Sequence, residues 1–283
     1  ARFSWQLAER GHILPITARG NGTDLTGAAI GKGVIMALPA HLNKILELDT
    51  KQKLVRVQPG VNFKSLQETL NTHGLFLPPA PESYEYSTIG GAIANNASGI
   101  TSHKYGDMRA WVDRLEVVLA NGEVIQTGPL SKKELSKKLG LPTLEGELYR
   151  AVNAILSDEQ ETLNAYDKAI HVTSDNVGYA IEVVQNKNGT VDLGLHGARS
   201  QSSAGYDLLD IKRKDGSFDL TPLFVGSQGT LGIITEAILR VAAFEPSSTL
   251  TVAAFATLDD ALEVSEKLAR LQPTILERVD KDV

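Results

Sequence analysis

The sequence predicts a chain of mixed helix and strand, and three observations predict it. Short apolar runs of strand type alternate with segments of helical period along most of the 283 residues. One pair of apolar runs is joined by Asn121-Gly122, a hairpin signal because both residues tolerate positive φ. A run rich in glycine, "ITARGNGTDLTG" at residues 16–27, follows directly on an apolar stretch.

The elements follow in order. "RFSWQLAERG" is a helical pattern ending at Gly11, and the chain enters it without a Met. "HILPIT" is a strand entry, "GVIMAL" (33–38) a second strand, and "LVRVQPG" (54–60) a third, closed by Pro59-Gly60. In "NFKSLQETLNTHG", Phe63, Leu66 and Leu70 fall at helical spacing and Gly74 stops the helix. Residues 114–127 form the hairpin, and "KKELSKKLG" and "EGELYRAVNAIL" read as helices. A less regular stretch runs to about residue 205. "GTLGIITEAILRVAAF" (229–244) then reads as a buried strand, and "EPSS" (245–248) as a linker. "TLTVAAF" and "LDDALEVSEKLARL" make a further strand and helix, and the chain closes on "ILERVDKDV". No internal repeat or low-complexity segment is present.

Composition narrows the function classes. With 42% hydrophobic against 22% charged residues the chain is a folding one, not a disordered one. A net charge of -6 argues against nucleic acid as a partner, and the basic run "SKKELSKK" reads as a solvated helix face. Without cysteine there is no disulfide framework, thiolate nucleophile or cysteinyl cofactor link. No apolar run reaches the ~18 residues of a membrane span. A cytoplasmic location is expected, with peripheral membrane attachment left open.

The glycine-rich run has a chemical reading. Gly20, Gly22 and Gly27 allow positive φ and close approach of a ligand to the main chain, and successive N–H groups in such a turn make an anion site. Thr23, Asp24 and Thr26 add hydrogen bonds and Arg19 a fixed positive charge. A phosphate or diphosphate suits it, and an ordinary glycine-rich connection accounts for the same residues equally well. The Rossmann pattern fails because Gly20 and Gly22 are followed by Leu25, with Gly27 too late. Walker A fails because "GAAIGKG" is one residue short and lacks Ser or Thr after Lys32. A second stretch, "PPAPESYEYSTIGGAIANNASG" (78–99), is nearly all small residues in its second half, so a flat ligand could lie on its backbone beside Thr88, Asn95 and Ser98. With a third at "LFVGSQGTLGIIT" (223–235), an extended ligand with a phosphate end and a planar end is expected.

Other constellations point to bland roles. The six histidines (12, 41, 73, 103, 171 and 196) form no metal-like pair, so no metal site is expected. Ser227 lacks the frame of a nucleophile elbow. Glu145 with Glu147, and Asp259 with Asp260, read as solvated helix faces.

At these three glycine-rich stretches the sequence resembles the FAD-binding domain of FAD-linked oxidases of the p-cresol methylhydroxylase and vanillyl-alcohol oxidase (PCMH) type. Within them it looks most like the D-lactate, glycolate and D-2-hydroxyglutarate dehydrogenase branch. "RGNGTDLTG", "VQPGV", "TIGGAIANNASG", "KYGDMRAWVDRLEVVLANGEVI", "SAGYDLL" and "LFVGSQGTLGIITEAILRV" occur in the family's order over residues 2–241. The resemblance implies an α+β, non-Rossmann flavin domain of two α/β subdomains at 1–245, with its N-terminal elements missing, and the start of an α/β cap domain at 246–283.

It also implies that Arg19, Gly20, Asn21, Gly22, Thr23, Asp24 and Gly27 hold the diphosphate. Pro79, Thr88, Gly90, Gly91, Asn95, Ser98 and Gly99 would lie along the phosphates, ribityl chain and flavin. Tyr105, placed after the second loop with His103, is a candidate to stand near the ring, and a loop-packing role accounts for both equally well; Gly229, Ile233 and Ile234 would contact its flavin or adenine end. Position 21 is Asn, no His lies between His12 and His41, and cysteine is absent, so the FAD is expected to be noncovalent. Gln228 stands where many relatives have Glu. The implied reaction is hydride transfer from a 2-hydroxy acid to FAD, with a quinone, cytochrome, flavoprotein or oxygen as electron acceptor. The catalytic residues belong to the cap and are expected outside this chain. An NADPH-dependent enolpyruvyl-sugar reductase of the same fold, or a non-redox nucleotide-binding module, is the alternative.

Overall fold

In a computed structural model the described residues are 1–163, 206–213, 215–245, 247–271, 273–277 and 279, with short strands at 174–175, 178–179, 182–185 and 191–194. His171, His196, residues 203–205 of "SAGYDLL" and residues 280–283 lie outside them.

The centre is a five-stranded antiparallel sheet. Its strands are β3 (Ile45–Asp49), β4 (Leu54–Val57), β6 (Val112–Val118), β7 (Val124–Gln126) and β12 (Ile233–Arg240), in the order β3-β4-β12-β6-β7. β12 is central although it comes late in the chain. Alternation sets the buried face: Val55 and Val57 of β4 and Leu115 and Val117 of β6 point inward, while Arg56 and Arg114 do not. On β12 the inward residues are Ile234, then Ala237 and Leu239, because a bulge between Ile234 and Glu236 breaks the two-residue period.

Helices close that face. α2 (Phe63–Asn71) is capped by Asn62, whose side chain accepts from Ser65 N, and it buries Phe63, Leu66 and Leu70 completely. α3 (Ile89–Ala94) buries Ile89 and Ile93 in the same core, and α6 (Leu144–Asp158) adds Tyr149, Val152 and Leu156. α5 (Lys132–Leu139), closed by a Ser131/Glu134 capping box, leans on α6.

The N-terminal segment is built differently. α1 (Arg2–Glu9) buries no residue, and β1 (Ile16–Arg19) pairs in parallel with β2 (Val34–Ala37) as a two-stranded sheet. Every residue of β2 is exposed.

The remaining elements are β5 (Leu75–Phe76), which pairs with β13 (Ala242–Ala243), the short pairs β8 (Ser174–Asp175) with β9 (Gly178–Tyr179) and β10 (Glu182–Gln185) with β11 (Val191–Gly194), and the helices α4 (Ser102–Tyr105), α7 (Thr221–Phe224) and α8 (Leu258–Ala269).

Three sequence expectations change. Only Gly122 of the hairpin dipeptide takes positive φ (86°), while Asn121 uses its side chain to accept from Glu123 N; the turn is thus a type I turn closed by glycine. Residues 249–255 form no strand, since no described strand lies beside them to pair with. β3, not anticipated from the sequence, takes its place at the sheet edge because β4 offers it a ladder.

Candidate functional site

A cleft runs between the loop after β1 and the end of α3, floored by Ile234 of β12 and Pro59. It is an open cleft with a cavity volume of about 140 Å³. Its two walls differ in construction.

The first wall is the loop of residues 20–24, which leaves β1 at Arg19. Gly22 has φ 74°, and a Cβ there would overlap the Arg19 guanidinium folded beneath it. The loop is sewn to the opposite segment by three side-chain bonds. Asn21 Nδ2 donates to Tyr86 O (2.8 Å), Thr23 Oγ1 meets Ser87 Oγ (3.4 Å), and Asn95 Nδ2 donates to Asp24 Oδ1 (3.3 Å). Asp24 also accepts from the amides of Thr26 (3.1 Å) and Ala28 (2.8 Å) and from the Thr26 hydroxyl (3.0 Å). Burial alone would raise the Asp24 pKa, but the Thr26 hydroxyl, the two amides and Asn95 together hold it below the ordinary carboxylate value.

What the first wall leaves open is cationic. The N–H groups of Asn21, Gly22 and Thr23 have no protein acceptor among the described residues. Arg19 makes no ion pair among them either; its one hydrogen bond is a long one, Nη1 to Ala29 O at 3.3 Å.

The second wall is α3 and the turn at residues 225–230. Thr88 caps α3 by accepting from Gly91 N (3.2 Å), and the neighbouring amides are also occupied: Ile89 N donates to Val61 O and Gly90 N to Pro59 O. Gly90 is required, because a Cβ would stand 2.5 Å from Pro59 Cβ and 3.0 Å from its carbonyl. The turn docks on the end of α3 through Gly226 N to Ile93 O (3.0 Å) and Gln228 N to Ala94 O (2.9 Å). Gly226, Gln228 and Gly229 all have positive φ, and for Gln228 that backbone is strained. Gly91, Ala94 and Ala97 leave this wall low and flat.

Of the residues singled out in the sequence, Gly20, Asn21, Gly22, Thr23, Asp24, Thr88, Gly90, Gly91, Asn95, Gly229 and Ile234 line the cleft together. The others do not. Arg19 lies under the loop, and Gly27 stands beyond the Asp24 turn, with φ 89°. Pro79, Ser98 and Gly99 lie behind the lining, where Gly99 packs on the Ala80 backbone. Tyr105 belongs to an aromatic cluster instead, 5.5 Å edge-on to Phe76 and 6.1 Å from Trp111, with Lys104 over its ring. Ile233 and Ile234 are paired with Val118 and Val117 in the sheet, and strand alternation brings Ile234, not Ile233, to the cleft. Asp24 reaches the cleft as the organiser of the loop: its oxygens are taken by protein donors, and a second anion would be repelled by it.

Sequence reasoning missed Pro59, Ser83, Ser87 and Ser227, which also line the cleft. Ser83 and Ser87 are four residues apart in a tight turn, with Oγ atoms 2.7 Å apart and Ser87 Oγ donating to Ser83 O. Their spacing ahead of Thr88 was the available signal. Among the described residues no cluster of His, Asp and Glu could hold a metal.

Comparison with known proteins adds to this geometry. Residues 4–128 match the family model described as FAD binding domain. The chain is 29% identical over its whole length to D-2-hydroxyglutarate dehydrogenase of Pseudomonas putida, of which it covers 25%. It is 31% identical over 95% of its length to glycolate oxidase subunit GlcD of Bacillus subtilis, covering 41%, and 27% identical over 95% to D-lactate dehydrogenase of Archaeoglobus fulgidus, covering 42%. Residues 4–128 thus match an FAD-binding domain, and the relatives' names fit the FAD-linked oxidase family.

The chain spans only a quarter to two-fifths of those relatives. A solved structure of alkyldihydroxyacetonephosphate synthase superposes on 97% of the chain and 36% of its own length with a TM-score of 0.55 at 18% identity, and shares the fold. FAD is the cofactor of the domain, and the cleft suits it. Amides and an arginine without an acceptor or ion pair among the described residues stand at one end, chemistry that can hold an anion, and a strip of small residues offers a flat surface on which a ring system can lie. No helix among the described residues is long and apolar enough to cross a membrane.

Proposed function

We propose that this chain is the FAD-binding part of a flavin-dependent dehydrogenase or oxidase that acts on the CH–OH group of a 2-hydroxy acid of the D-lactate or glycolate type. The observation that carries the reading is the pairing of free amides at Asn21, Gly22 and Thr23, above the Arg19 guanidinium, with a small-residue wall facing them. In this reading those amides and Arg19 bind the diphosphate, Thr88 and Asn95 hydrogen-bond along the ribityl chain, and the 227–229 turn borders the ring. Asp24 sets the amides toward the anion by holding the rest of the loop. The absence of cysteine and of histidine in the loop fits noncovalent binding. Bound FAD would take up hydride from the hydroxyl-bearing carbon, its redox chemistry being its own. The chain's part is to hold it and shield one face.

Residues 1–245 would be the FAD-binding domain and 246–283 the start of the substrate domain, whose remainder would bring the substrate-binding and proton-accepting groups. The relatives' names support the substrate class, and the electron acceptor would be a quinone, cytochrome, flavoprotein or oxygen. The test is a visible absorption spectrum of the purified chain, before and after incubation with FAD and desalting. Retained flavin bands released into the supernatant by acid are the expected result. A chain that stays colourless and does not quench FAD fluorescence would refute the assignment of the cleft.

A further inference from the structure

We propose that Arg109, together with Tyr206 and Asp207, is a positioning group that clamps the turn at residues 225–230 and so sets the shape of the cleft's second wall, although none of the three lines the cleft. The ligand consequence rests on the FAD reading above; the clamp itself does not.

The turn has three left-handed residues in a row of four, Gly226, Gln228 and Gly229. Such a backbone keeps its conformation only where its surroundings fix it. Its entry is held by Arg109, whose Nη2 donates to Val225 O at 3.1 Å while Nη1 pairs with Asp207 at 3.2 Å. Its exit is held by Tyr206: the Thr230 hydroxyl donates to Ser227 O (2.7 Å), so Thr230 Oγ1 is the acceptor of the Tyr206 hydroxyl at 2.8 Å. Two consecutive residues therefore serve both ends of one turn, Tyr206 directly and Asp207 through Arg109.

The same arginine residue holds the facing element. Its backbone N–H donates to Asn96 Oδ1 (2.9 Å), and Asn96 Nδ2 donates to Asp107 (2.8 Å). Asn96 is buried, has φ 46°, and comes just after the cleft residue Asn95, which ends α3. Segments far apart in sequence, 96, 107–109, 206–207 and 225–230, thus meet around one arginine, with Asp207 and Val225 O at its guanidinium and Asn96 at its backbone N–H. The Arg109 and Asp207 side chains are each only 17% exposed, so screening by water is weak and loss of either partner leaves the other poorly solvated.

The test is hydrogen exchange on the chain without FAD, followed by FAD titration, for Arg109→Gln, Arg109→Lys, Asp207→Asn and Tyr206→Phe. In Arg109→Gln the amides of Gly226 and Gln228 should exchange about ten-fold faster while the β6–β7 hairpin stays unchanged, and FAD should bind about ten-fold more weakly. Arg109→Lys should recover part of both effects. The Arg109→Gln/Asp207→Asn double variant should be no worse than Arg109→Gln alone, as coupled partners require. Tyr206→Phe should loosen the turn about three-fold from its exit side. If Arg109→Gln does not fold, Arg109→Lys and Tyr206→Phe carry the same measurement. Unchanged exchange at Gly226 and Gln228, or an equal rise in the hairpin, overturns the clamp. A loosened turn in a chain that binds no FAD leaves the clamp standing and sinks the cofactor reading instead.

Discussion

The two walls of the cleft reach their shapes by opposite means. α3 and the 225–230 turn are fixed from behind, by the buried Ile89 and Ile93 and by backbone bonds whose donors are already used. The 20–24 loop rests on a two-stranded sheet whose second strand is wholly exposed, and side-chain hydrogen bonds across the cleft hold it. The difference separates duties: the packed wall gives a surface, and the sewn wall keeps its amides free for an anion. Mutations should therefore hurt the two walls in different currencies, stability on one and affinity on the other.

The largest effect is expected from Gly90→Val, which drives side-chain atoms into Pro59 behind the packed wall. It should cost on the order of 3 kcal/mol in denaturant unfolding, as overpacking in a full core does, and FAD binding should fall with the folded population. Arg19→Gln should do the reverse. Because Arg19 has no ion pair among the described residues, stability should change little, while FAD affinity, read by fluorescence titration, drops about ten-fold with the loss of a charged donor to phosphate. A stability loss in Arg19→Gln as large as its affinity loss would erase the distinction between the walls.

Acid sharpens the comparison. Asp24 titrates lower in the folded chain than in the unfolded one. Its contribution is complete above the unfolded value of about 4 and is lost as pH falls through the lower folded value. FAD affinity of the wild-type chain should fall across that acid window, and Asp24→Asn should lack that limb while binding more weakly at neutral pH. Identical acid profiles would show that Asp24 does not hold the loop. The smallest effect belongs to Asn21→Ala, which removes one exposed bond to Tyr86 O. It should weaken FAD about two- to three-fold and leave the unfolding midpoint in place.

How much of this was legible beforehand depends on where each residue gets its conformation. α2 was readable because Phe63, Leu66 and Leu70 carry the helical period and Gly74 stops it, and the structure buries all three apolar residues. The 20–24 loop was readable because glycines at 20 and 22 are a local demand. Tyr105 was not: its place after a glycine-rich stretch pointed to the cleft, but Phe76 and Trp111 offered it an aromatic surface. Residues 249–255 carry a strand pattern yet have no strand to pair with among the described residues, whereas β3 becomes a strand because β4 is there.

By itself the sequence determined the positions of helices, turns and glycine-rich loops, since capping, periodicity and positive φ act within a few residues of chain. It also determined that no cysteine or loop histidine can tether a cofactor. Only the tertiary structure decided that β12 lies at the centre of the sheet, that a bulge after Ile234 shifts its inward period, and that Asp24 is held by donors of its own loop and by Asn95. It alone brought Arg109 to Val225 and Asp207. Those outcomes depend on which distant groups meet, and hydrogen-bond donors and apolar faces settle on partners only when packing has brought them within reach.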